Sequence, residues 1–117
     1  MGTAANTLVE IFRTEFGAVF QCNRYGVYWI EFAGGFSSFK FNDFFHLKQT
    51  VEAVDVKEMA ENTARFADVV VINPLCSDRC FVLTLTDVLN FRELLQGAKA
   101  MMELNSIIYE SLHAMAV

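Results

Sequence analysis

The sequence predicts an α+β fold, one antiparallel sheet with two helices on one face, built from two degenerate strand-strand-helix repeats. Three observations carry this reading. Residues 36–41 alternate, with Phe39 and Phe41 on one side and Ser38 and Lys40 on the other, the period-two pattern of a strand buried on one face. The period then changes: Phe44, Leu47, Val51 and Val54 recur every three or four residues, as the apolar stripe of a helix does. The same change of period occurs a second time near Asp87.

Taken in order, residues 8–13 are apolar and β-branched, Gly17 offers a turn, residues 18–22 resume a strand, and residues 23–26 carry turn chemistry before a third strand at 27–32. In that third strand Tyr28, Ile30 and Phe32 point one way and Val27, Trp29 and Glu31 the other, so large residues on both faces call for cover on both. Ala33-Gly34-Gly35 breaks the chain at a hairpin, and residues 36–41 form the fourth strand. Asn42 is the expected N-cap of a helix ending near Asp55. Residues 57–67 read as a polar, partly helical connection. A strand at 68–72 is stopped by Asn73-Pro74, Ser77-Asp78 turns the chain, and residues 80–85 form the last strand. Thr86-Asp87 repeats the capping signal and opens a helix running to about His113, with Val88, Phe91, Leu95, Ala98 and Met102 on its inner stripe.

The repeat rests on an ungapped match at a constant offset of 44, from Asp43 to Asp87. Phe39-Lys40-Phe41-Asn42-Asp43-Phe44 lies on Leu83-Thr84-Leu85-Thr86-Asp87-Val88, Lys48 lies on Arg92, and Val27-Tyr28 lies on Val71-Ile72. The alternative is convergence, since any strand-to-helix junction tends toward this pattern.

Composition sets the outer limits. The 117 residues fit one domain spanning 1–117, 54% of them apolar and 20% charged, with twelve Phe, three Tyr and one Trp. Net charge is −5, and no two basic residues fall within six positions of each other, so a linear phosphate-binding tract is missing and nucleic acid is a disfavoured partner. No run reaches the roughly 18 to 20 apolar residues of a membrane span. The first six residues lack export and acylation signals, and three cysteines are too few for a disulfide scaffold, so the expected location is the cytoplasm.

Ala18-Val19-Phe20-Gln21-Cys22 with Tyr28-Trp29-Ile30-Glu31-Phe32, and residues 80–89 with Phe91-Arg92-Glu93-Leu94-Leu95, resemble a family of short uncharacterised bacterial proteins, mainly from Bacteroidetes. The resemblance implies fold and host and lends no activity. Relatives in that family often carry a second Cys three places after the first, whereas Cys22 is followed here by Asn23, Arg24 and Tyr25.

Catalytic and metal chemistry find little support. Cys76 and Cys80 form a single Cys-x-x-x-Cys without the second close pair of a structural zinc site, and His46 falls off the apolar helix stripe. No nucleophile sits in a Gly-x-Ser-x-Gly context, and the only glycine-rich spot precedes a strand and not a helix, so neither a catalytic residue nor a cofactor is expected. The expected function is that of a non-enzymatic interaction or small-ligand-binding module forming a homodimer, open to a protein partner. Its contact residues are expected among Trp29 and Tyr28 on the sheet and Met101, Leu104 and Ile108 on the last helix, where a three-four spacing continues past Gly97. The competing expectation is single-stranded nucleic-acid binding through sheet aromatics, which requires Arg13, Arg24, Lys40 and Arg79 to converge beside Tyr28 and Trp29.

Overall fold

The computed structural model describes residues 8–22, 26–62, 69–74 and 79–115. Strands β1 (Leu8–Thr14), β2 (Gly17–Cys22), β3 (Val27–Phe32) and β4 (Gly35–Lys40) form an antiparallel meander in chain order. Helices α1 (Phe41–Glu52) and α2 (Val56–Glu61) follow. Strands β5 (Val69–Ile72) and β6 (Phe81–Thr84) make a separate antiparallel ribbon, and α3 (Leu85–Met115) closes the fold.

Alternation decides the faces of the meander. Val19, Ile30 and Ser37 stand in register across three strands, as do Tyr28 and Phe39, and all are buried toward the helices. β1 bulges between Glu10 and Phe12, and the extra residue lets both Ile11 and Phe12 reach the core. The opposite face carries Phe20, Trp29 and Phe36, which pack on one another: Trp29 stacks on Phe36 at 4.8 Å, and Phe20 meets Phe36 edge-on at 6.0 Å. These contacts half-bury Phe20 and Trp29 but leave Phe36 49% exposed, so no second layer covers this face among the described residues.

The strand pairs do not join into the single sheet expected. Phe91 of α3 stacks on Phe32 of β3 at 4.2 Å and meets Phe81 of β6 at 5.2 Å, so a helix side chain fills the space between meander and ribbon. The repeat is also narrower than expected. The helix entries keep their offset, α1 beginning at Phe41 and α3 at Leu85, yet Tyr28 pairs with Phe39 while Leu83, the counterpart of Phe39, pairs with Val70 in place of Ile72. What recurs is the strand-to-helix junction and not a whole half.

Both helices start slightly ahead of the expected caps. At α3 the cap is Thr84: its hydroxyl accepts from the Asp87 backbone N–H at 3.2 Å while the Asp87 carboxylate accepts from the Thr84 N–H at 3.0 Å, a reciprocal capping box. At α1 the cap position falls on Lys40, which makes no side-chain cap bond, and Asn42 already lies inside the helix. The polar connection contains α2, whose N-cap Asp55 accepts from the Glu58 N–H at 3.0 Å.

Two arginines of the second half tie down open ends of the first. Arg92 donates to the carbonyls of Val51 (3.2 Å), Glu52 (2.9 Å) and Val54 (2.6 Å), at and just past the end of α1, where the last carbonyls of a helix have no donor four residues on. Beside it Glu52 accepts from Lys48 and Gln96, and these bonds hold its carboxyl below the ordinary value. Arg79 lies over the Phe81 ring at 4.3 Å and donates to the carbonyls of Phe32 and Ala33 at the β3–β4 turn. Its guanidinium occupies the space where a Cβ on residue 35 would project, so a side chain there would displace the Arg79 head group from the turn. At Gly97 the missing side chain leaves room for the Phe12 ring, packed against the core, to lie on the backbone of α3 where the helix crosses β1.

Candidate functional site

The unusual element is α3, of 31 residues and about 46 Å at the helical rise. Val88, Phe91, Leu94, Leu95 and Ala98 are fully buried, Met101 and Met102 are half-buried, and every residue from 103 to 114 is exposed. The helix therefore runs on past the body for about three turns. The molecule measures 60 × 33 × 25 Å with a radius of gyration of 16.4 Å, against about 13 Å for a compact domain of this length.

This overhang is amphipathic without a partner. At about 100° per residue, Leu104, Ile108 and Leu112 share one side with Ile107 beside them, and Glu103, Ser106, Glu110 and His113 take the other. Leu104 is 45% exposed, Ile108 47% and Leu112 60%, so the stripe faces water. Met101 sits at its base and packs against the core.

On the polar side, the angle between the overhang and the body encloses a groove of about 730 Å³. Its floor is aromatic: Tyr28 from β3 with Phe41 and Phe45 from α1. Phe41 meets Phe45 edge-on at 4.5 Å and Tyr28 at 6.1 Å, and remains half-exposed. Met102 and Tyr109 form the helical wall, with the carboxylates of Glu103 and Glu110 beside them. Burial pushes the Tyr28 hydroxyl above its ordinary pKa.

The five expected contact residues thus fall into three groups. Met101, Leu104 and Ile108 share the α3 stripe, Tyr28 lies in the groove floor, and Trp29, on the other face of the sheet, is half-buried against Phe36. Among the described residues the basic side chains do not gather at one point: Lys40, in register with Val27, and Arg13, in register with Ala18, share the Trp29 face but lie at opposite ends of the meander. Arg13 is paired with Glu10 at 2.8 Å and stands 3.9 Å from Glu31 on the Trp29 face, whereas Arg79 turns to the β3–β4 turn from the ribbon side. Arg24 and Cys76 lie outside the described residues. His46 is exposed on α1, as expected, and Cys80 is an exposed thiol. Among the described residues no cluster of His, Cys, Asp and Glu has the makings of a metal site, and no helix is long and apolar enough to cross a membrane.

Phe41, Phe45 and Tyr109 were not singled out by sequence reasoning. Phe41 sits where the strand pattern ends and the helix pattern begins, so it fits either as a core residue, and only the angle of α3 places Tyr109 opposite it. Comparison of the chain with protein-family models, curated proteins and solved structures finds no match, so its resemblance to the short bacterial family rests on sequence pattern alone.

Proposed function

We propose that the chain is a non-enzymatic interaction module whose copies pair through the α3 overhang. The observation that carries this reading is the apolar stripe of Leu104, Ile108 and Leu112 held in water on a helix that the body has already anchored. A two-fold pairing of antiparallel overhangs brings the stripe against itself, as an isologous interface requires, and lets the opposed helix dipoles attract. With flanking contacts such a pairing approaches the roughly 800 Å² per partner of a stable dimer. The Trp29 face is the weaker candidate because its aromatics already pack on each other, and the dispersed basic residues, with Arg13 on that face paired to Glu10, argue against nucleic acid. The odd cysteine count fits a reducing compartment such as the cytoplasm.

Light scattering at micromolar concentration is expected to give twice the 13.2 kDa chain mass. Leu104→Asp should return the chain mass with an unchanged circular dichroism spectrum, and Trp29→Ala should leave the dimer intact. A 13.2 kDa species for the unmodified protein would overturn the reading.

A further inference from the structure

We infer that the groove between α1 and the α3 overhang is a binding site for a small organic cation with an apolar body, an aromatic or alkyl ammonium. This goes beyond self-association, because Met102, Ser106 and Tyr109 turn the groove side of α3 away from Leu104, Ile108 and Leu112, with Ile107 at the border between the two. Its floor offers three aromatic rings, with the Phe41 ring half-exposed and edge-on to Phe45. Ring faces carry negative quadrupole density and attract ammonium groups, the more so where water is displaced. The formal charges that line it are Glu103 and Glu110, both negative. Glu103 is met by the chain's own Lys99 at 3.4 Å, so Glu110 is the carboxylate that favours a cation over an anion in the groove, and a second copy's overhang seated here would bring its own Glu110 against it. At about 730 Å³ the groove is of the size that takes small ligands, with a few polar groups, Gln21 and Asn105 among them, set in an apolar lining.

The chain itself makes a version of this contact at the rim. The Lys99 ammonium lies 5.9 Å from the centre of the Phe45 ring and 3.4 Å from a Glu103 carboxylate oxygen. An ammonium between an aromatic face and a carboxylate is thus an arrangement this corner of the molecule already adopts.

Benzyltrimethylammonium, its neutral isostere neopentylbenzene and the anion benzylsulfonate form a probe set of matched shape and different charge. Titration of the isotope-labelled protein by NMR should show saturable shifts at millimolar cation, centred on the amides of Gln21, Phe41, Phe45 and Tyr109. The isostere should bind several-fold more weakly and the anion not at all. Phe41→Ala should weaken the cation about 3- to 5-fold. Glu103→Gln combined with Glu110→Gln should weaken it about 3- to 10-fold and flatten its salt dependence. Leu104→Asp should leave it unchanged, which separates this site from dimer formation. Absence of saturable shifts, equal binding of isostere or anion, or shifts centred away from the groove would overturn the proposal.

Discussion

Ala33 is the one described residue other than glycine with a positive φ, 53°, and Gly34 follows at 78°. Together they form the two-residue turn with both central residues left-handed that matches the twist of a β-hairpin. Glycine meets this at no steric cost, but alanine carries its Cβ into a conformation disfavoured by about 1 kcal/mol or more. Asparagine tolerates that region, and Asn-Gly is the preferred pair for such a turn. Ala33→Asn should therefore raise unfolding stability by about 0.5 to 1 kcal/mol, read as a shift in the urea midpoint without a change in slope. The turn itself was legible in the sequence because glycine punctuates strands for a local reason. The Arg79 clamp over the same turn was not, since its acceptors are backbone carbonyls 46 and 47 residues away, and a carbonyl leaves no mark on residue identity.

Between elements, the contrast of the two helix entries is informative. Thr84 and Asp87 complete a capping box at α3, while the matching pair at α1 is Lys40 and Asp43, so the carboxylate is in place and the hydroxyl is missing. Lys40→Thr should complete the box and stabilise by about 0.5 to 1 kcal/mol, whereas Lys40→Ala should not, a difference that paired urea titrations resolve. The existence and order of the strands and of α1 and α3 were legible from period alone, and so was the apolar run beyond Gly97. Helix starts were displaced because Asn42 and Thr86 are as good capping residues as any, and only the strand ends decide where the helix begins. The separation of meander from ribbon was hidden too. It depends on Phe91 reaching both Phe32 and Phe81, a three-body contact that no window of sequence contains.

For the whole molecule, hydrogen exchange offers a direct view of how stability is distributed. Amides near Val88, Phe91 and Leu95 lie in the core and should exchange only with global unfolding, whereas those of residues 103–114 have no tertiary cover. In Leu104→Asp the overhang stays helical but has no partner over its stripe, so its amides should exchange faster than those of the core. In the unmodified, paired protein they should be slowed several-fold, and equal rates in the two would count against pairing. The candidate site was half legible at this scale: the stripe is written along one segment, but the groove is assembled from β3, α1 and α3, whose relative angle the sequence does not display.

The anchored part of α3 has a consequence for the thermodynamics of its free end. An isolated segment of a dozen residues is marginal as a helix in water, because forming the first turn fixes several residues for a single hydrogen bond. Here the turns packed on β1, β2 and β6 supply that nucleus, so the free end propagates from an existing template, and each added residue sits near balance between coil and helix. The tip is then a segment whose order varies steeply with small changes in free energy, fraying from the C-terminus inward. Whatever docks on it selects an ensemble already weighted toward helix, and the entropy lost on association is correspondingly small.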